Sequence, residues 1–363
     1  CKMRLVVFVV LMAALISVYR VPDLDIAPAS ELRTACAAGH VFAATEPELY
    51  YEGMPQLKSL CSPLLIEHQG MVFSVQDCGE ESGEAVVLLH GFPDVWTSWE
   101  RQIIALAGAG YRVIVPSMRG YEASSTAVGD YHLTSLAQDV ACHLSALHIG
   151  EAHIIGHDWG SSVAEVVSTQ YRGLAKSVAG LAVPFKYPKY SKPNAAQLSR
   201  SWYIFFFQLP FLPEFVTSRN DFAFLEKLYR DWSPTYNWSS EAGQRHLREL
   251  KAAFRQPGVV SATIGYYRHN IPQLMAAGPF YKLTDPAGWL DHPTFGRVDC
   301  PVLMISGADD GCIGTQLFDS TPLDAGDFTA GAKFVRIEGA GHFVQFEQPQ
   351  VVNDALISWL RSL

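Results

Sequence analysis

Residues 154–162 read IIGHDWGSS. A short β-branched run, a glycine on each side of a three-residue centre, and a following stretch with helical spacing describe a buried strand that turns sharply into a helix, with Asp158 at the apex. Glycine has no side chain to hold the two elements apart, so strand and helix approach closely and the apical side chain is thrust out over the sheet. Such a turn demands an open sheet around it. The rest of the chain must therefore supply alternating strands and helices.

It does. Ile66 to Val75 reads as a hairpin, and Ala85 to Leu89, Arg112 to Pro116, Ala152 to Ile155, Ser177 to Val183, Pro301 to Ile305 and Lys333 to Ile337 read as buried strands. Between them Trp99 to Ala107, Leu133 to Leu147, Ser161 to Tyr171 and Pro349 to Leu360 have helical spacing. Alternation of this kind predicts a doubly wound, mostly parallel α/β sheet with helices on both faces. Residues 184–298 break the rhythm: they are rich in aromatics and helical patterns and are bounded by Pro184 and Pro301. They read as a helical cap inserted between core segments 66–183 and 299–363, covering the carboxyl ends of the strands, where sites in open α/β sheets lie. At 363 residues and 49% hydrophobic the chain can bury such a core.

Two further loops fall in the order nucleophile, acid, histidine that suits an elbow of this type. Gly307-Ala308-Asp309-Asp310-Gly311 follows a strand and offers two acids, and Gly339-Ala340-Gly341-His342-Phe343 follows the last strand and offers a base. The small neighbours of His342 are read as leaving its imidazole exposed. His90-Gly91-Phe92-Pro93 follows another strand. Its Phe92 N–H, with that of Trp159, is placed to hold an oxyanion.

Together the HGFP turn, the GHDWG elbow, the GADD loop and the GAGHF loop resemble those of α/β-hydrolase fold epoxide hydrolases, especially their membrane-anchored branch, over residues 66–363. The cap segments WYIFFFQLPFLPEF (202–215) and QPGVVSATIGYYRHN (256–270) are similar to the two tyrosine-bearing segments of that family. The resemblance implies that Tyr203 and Tyr267 act as proton donors, with Tyr266 the substitute for the second, and its Gly-x-x-Asp spacing selects Asp310 over Asp309. It implies a small apolar epoxide and water as reactants, and neither cofactor nor metal. One departure is Glu122 in MRGYEASS (118–125), which stands where glycine is usual.

The chemistry agrees with a carboxylate at the apex. A serine that opened an epoxide would form an ether that no activated water cleaves at a useful rate, whereas Asp158 forms an ester that His342 can hydrolyse as general base. Phenols keep their proton at neutral pH and suit the departing ring oxygen. A haloalkane dehalogenase would use the same Asp158, His342 and acid, with the Trp159 indole on halide. It needs a second side-chain N–H, which Phe92 lacks and Trp202 would have to supply. A non-catalytic binding protein on the same fold is the other alternative, but here every catalytic position is filled, which favours an enzyme.

Ahead of this core, Lys2 and Arg4 precede the apolar run Leu5 to Tyr19, and Arg20 follows it. Residues 1–20 therefore read as a signal peptide or membrane anchor, with 21–65 as a leader and a membrane-anchored or secreted product of the secretory pathway. The seven cysteines show no CxxC spacing, which leaves zinc and thioredoxin-like readings without support. Cys36 and Cys61 either bridge, if the chain is secreted, or stay scattered thiols. Asn237-Trp238-Ser239 is a glycosylation sequon that matters only in that compartment. A net charge of -9 with no basic run excludes nucleic acid as a partner.

Overall fold

The computed structural model describes residues 36, 39–43, 53–121, 126, 129–190, 194–276, 296–324 and 326–363. Their strands are β1 (His40–Ala43), β2 (Cys61–His68), β3 (Met71–Cys78), β4 (Glu84–Leu89), β5 (Tyr111–Pro116), β6 (Ala152–His157), β7 (Ala175–Leu181), β8 (Val302–Gly307) and β9 (Ala332–Ile337). They form one sheet in the order β1-β2-β3-β5-β4-β6-β7-β8-β9. Strands β1, β2, β3 and β5 pair antiparallel, and every pair from β5 to β9 is parallel.

The helices are α1 (Pro55–Leu60), α2 (Glu100–Gly108), α3 (Leu133–Ala146), α4 (Trp159–Gln170), α5 (Tyr187–Tyr190), α6 (Ala195–Arg200), α7 (Trp202–Phe206), α8 (Leu212–Thr217), α9 (Ala223–Trp232), α10 (Glu241–Phe254), α11 (Val259–Ala276), α12 (Gln316–Asp319), α13 (Val344–Glu347) and α14 (Pro349–Leu360).

The unbroken apolar run of β4 follows from burial on both faces. Ala85, Val87 and Leu89 join one core with Leu136 and Val140 of α3 and Val163 and Val167 of α4. Val86 and Leu88 join the opposite core with Ile103 and Leu106 of α2 and Val352 and Leu356 of α14. Among the described residues, every element between β7 and β8 is a helix. In α9 the buried residues Leu225, Leu228, Tyr229 and Trp232 recur at the three- and four-residue spacing that makes one apolar stripe. That stripe lays the helix against the core beneath it.

The sheet starts earlier than residue 66, the first core residue expected from sequence. The hairpin extends to Cys61–His68 and Met71–Cys78, and its two-residue turn places Gln69 at φ 53° and Gly70 at φ 73°. Two central residues at positive φ suit the right-handed twist of the flanking strands. The cysteine pairing also differs from the Cys36–Cys61 alternative: the disulfides are Cys36–Cys142 and Cys61–Cys78. Cys61 lies directly opposite Cys78 in the β2–β3 register, which fixes its partner. Cys36 is left to meet α3. The apolar run at 5–19 and Glu122 lie outside the described residues, among which no helix is long and apolar enough to cross a membrane.

Candidate active site

Asp158 sits between β6 and α4 with φ 54° and ψ -117°, a left-handed conformation rare for a residue with a side chain. The packing around it enforces this. A Cβ on Gly156 would lie 2.0 Å from the Gly160 carbonyl oxygen, one on Gly160 2.2 Å from that of Leu89, and one on Gly91 2.4 Å from Cβ of Asp158. Only glycines allow β6, α4 and the loop after β4 to meet at this distance. Phe92 N–H donates to Oδ1 of Asp158 at 2.8 Å. Trp159 is the first residue of α4, directly after Asp158, so its N–H has no carbonyl one turn back within the helix to donate to.

His342 Nε2 lies 3.6 Å from Asp158 Oδ2, an ion-pair contact too long for a hydrogen bond, and Nδ1 lies 2.9 Å from Oδ2 of Asp310. Asp310 Oδ1 in turn accepts from the N–H groups of Cys312 (2.7 Å) and Ile313 (2.8 Å), which aim its carboxylate. Asp309 is exposed and has no part in this chain. The imidazole is fully buried, contrary to the exposure expected from its small neighbours. Burial opposes its charge, but the Asp310 and Asp158 carboxylates outweigh burial and push His342 up to about 10.

The phenols come from two helices. Tyr203 on α7 and Tyr267 on α11 are both buried, with ring centroids 5.7 Å apart. Burial, and then nearby groups that include the Asp158 carboxylate, raises both hydroxyls well above the ordinary phenol value, so they stay protonated. Tyr203 Oη lies 3.2 Å from Sγ of Cys312. The Tyr267 hydroxyl meets no partner in full hydrogen-bonding geometry; Asp158 and Cys312 raise it further, while the Trp159 and Tyr203 side chains lie close enough to lower it. Tyr266 donates its hydroxyl to the Arg119 carbonyl at 2.6 Å, which removes it as the substitute. Trp202 is 41% exposed and packs on Phe206 and Phe224. It supplies no second N–H beside Trp159.

Sequence reasoning missed several groups behind the site. His157 Nε2 lies 2.9 Å from the His342 carbonyl, tying elbow to base loop, and its Nδ1 faces the buried Asp94 at 3.8 Å. Glu347 accepts the Gly341 N–H at 2.8 Å and the Ser233 hydroxyl. Nothing in local spacing marks these residues.

Among the described residues, two side-chain clusters have the residue types of a metal site. Asp310, Cys312 and His342 belong to the chain of contacts already described. Asp130, His132 and His269 bring candidate atoms within 4.8 Å of one another. There Asp130 already accepts from His132 N–H (3.1 Å) and the Ser135 hydroxyl (2.6 Å), and His269 Nδ1 from Tyr131 N–H (3.3 Å). These bonds dock the start of α3 on α11.

Residues 84–349 match the α/β hydrolase fold family, and the chain belongs to it. Within that family it is an epoxide-hydrolase-like α/β hydrolase. It is 30% identical over 301 residues to the AB hydrolase superfamily protein YfhM of Bacillus subtilis, covering 82% of this chain and 97% of that one. It is 28% identical over 316 residues to human epoxide hydrolase 4, covering 85% and 80%. Among solved structures, epoxide hydrolase A from Mycobacterium thermoresistibile superposes with a TM-score of 0.62 at 26% identity, covering 83% of this chain and 98% of its own.

Proposed function

We propose that the protein is an epoxide hydrolase that converts an apolar epoxide to a vicinal diol through an ester on Asp158. The observation that carries this reading is the pair of buried, protonated phenols, Tyr203 and Tyr267, held in the field of a carboxylate at the elbow apex. A dehalogenase has no use for them.

Oδ1 of Asp158 is committed to Phe92 N–H, so Oδ2 is the attacking oxygen. Its attack on an epoxide carbon breaks that carbon's bond to the ring oxygen, and a phenol transfers its proton to the leaving alkoxide. Esterification removes the Asp158 charge, one of the two carboxylate charges that hold the His342 proton. The imidazole can then return its proton to the phenolate left by ring opening and take one from water. Hydroxide adds to the ester carbonyl, and the Oδ1 oxyanion meets the N–H groups of Phe92 and Trp159. Collapse breaks the bond from the carboxyl carbon to Oδ2, and the departing alkoxide takes the proton of the carboxylic acid formed at Asp158, which releases the diol and restores the carboxylate. Asp310 orients the imidazole throughout. Phe92, Trp159 and Phe207, which pack around Tyr267, favour an apolar substrate.

The α5–α11 insert acts as the cap in this reading, and residues 1–20 as a signal peptide or membrane anchor. The two disulfides favour an oxidising, secretory compartment.

The covalent step is tested in heavy-oxygen water with enzyme in excess over styrene oxide. A single turnover leaves the diol unlabelled and the label in Asp158, and His342→Ala accumulates substrate mass on the elbow peptide. Label in the first diol together with no adduct in the variant refutes the ester.

A further inference from the structure

The base loop has its backbone held by the end of α9 and by Glu347 of α13. Gly341 N–H goes to Oε2 of Glu347 (2.8 Å), His342 N–H to the Trp232 carbonyl (3.0 Å) and Phe343 N–H to Oγ of Ser233 (3.3 Å). The Trp232 carbonyl also accepts Gly311 N–H at 3.0 Å, so one atom at the end of α9 joins the acid loop to the base loop. Ser233 closes the arrangement by donating its hydroxyl to Oε1 of Glu347.

Close approach is built into the sequence. A Cβ on Gly341 would lie 2.5 Å from Cα of Ser233, and one on Gly311 2.1 Å from the Asp231 carbonyl oxygen. The glycines of both loops make room for the end of α9. Aromatic contacts run the same way: Trp232 meets the His342 ring edge-on at 5.2 Å, and Tyr229 stacks on Phe343 at 4.0 Å. Trp232 also touches Tyr203, with centroids 4.8 Å apart.

We propose that the end of α9 and Glu347 are positioning elements for the general base: Ser233 and Glu347 pin the backbone of residues 341–343 so that His342 Nε2 faces the ester carbonyl on Asp158. This rests on the reading of His342 as the base of ester hydrolysis. It assigns the helical insert a second task beside carrying the tyrosines. Neither Ser233 nor Glu347 reaches the reacting atoms. Their loss misplaces a base that acts only in the second step, so formation of the ester keeps its rate while hydrolysis slows. Glutamine in place of Glu347 keeps an acceptor for Gly341 N–H and a partner for Ser233.

The test is rapid-quench mass spectrometry of the Asp158 peptide with styrene oxide, in the full chain, for Glu347→Ala, Ser233→Ala and Glu347→Gln. In Glu347→Ala and Ser233→Ala the adduct forms within about twofold of the wild-type rate and its hydrolysis slows about 10- to 100-fold, the size of a lost charge-assisted hydrogen bond. Glu347→Gln recovers most of that loss. If Glu347→Ala does not fold, the split in Ser233→Ala and its milder counterpart in Glu347→Gln decide. Equal slowing of both steps, or hydrolysis at the wild-type rate in Ser233→Ala, overturns the positioning role. Absence of any adduct in wild type and variants alike overturns the ester mechanism instead.

Discussion

Tyr267→Phe should make the protein more stable and less active at once. The buried Tyr267 hydroxyl meets no partner in full hydrogen-bonding geometry, only the Trp159 and Tyr203 side chains close by. A buried polar group left in that state costs about 1–3 kcal/mol, which the phenylalanine ring does not incur. A gain of about 1 kcal/mol corresponds to a rise in Tm of about 1–2 °C for a chain of 363 residues. In the proposed reaction the same hydroxyl acquires a partner, the departing ring oxygen. A hydrogen bond to a charged group contributes about 1.5–3 kcal/mol, so epoxide opening should slow about 10- to 150-fold. The measurement pairs thermal unfolding with the single-turnover rate of adduct formation on styrene oxide. Misfolding lowers both quantities, so an opposite change in the two isolates the functional cost. Tyr203→Phe should slow opening similarly with little change in Tm, because its hydroxyl gives up only the weak acceptor Sγ of Cys312. A drop in Tm for Tyr267→Phe, or unaltered opening in the double variant, refutes the assignment of the phenols.

Asp310→Asn should reduce ester hydrolysis at least 100-fold and Asp309→Asn hardly at all, since only Asp310 touches the imidazole; stopped-flow rates rank them, and the reverse ranking moves the role. Stability should depend on pH through two groups whose folded values are raised. Burial, opposed by Ser233 and Gly341, holds Glu347 up at about 7 against an ordinary 4.5, so its contribution is full below about 4.5 and is lost as pH rises through about 7, at most about 3 kcal/mol. His342 does the same between 6.5 and about 10. Urea midpoints across pH 4–10 should flatten in the lower window for Glu347→Gln and in the upper for His342→Ala. Opening Cys36–Cys142, which spans 106 residues, should cost about 5 kcal/mol against about 3 for Cys61–Cys78, which spans 17, on loop-closure entropy; melts of the two double-serine variants compare them.

Much of the core was legible because its signals are local. Strands buried on both faces must be apolar throughout, and β4 to β9 follow the runs read from sequence within one or two residues at most ends. The elbow was legible because Gly156 and Gly160 have no tolerable substitute at those distances. The early part of the sheet was not. Strand β1 is short and its four residues are all exposed, so it shows no alternation to read. The partner of Cys36 lies 106 residues away on α3, and no spacing rule reaches that far.

The glycines beside His342 show how a residue can be singled out for an incomplete reason. Small neighbours suggest an open loop with an accessible imidazole, yet His342 is fully buried, and Gly341 is small because the end of α9 rests on it. Sequence proximity records what a loop tolerates, not which distant element demands it. The demand comes from Trp232 and Ser233, more than 100 positions before the loop, and from Glu347, a glutamate with no motif of its own. Burial by that helix end is also what makes the base usable. In a solvated loop the Asp310 and Asp158 charges would be screened by water and would move an imidazole little. In a dry one they favour its charged form, and in the proposed mechanism esterification of Asp158 removes one of them, which would couple release of the base to completion of the first step.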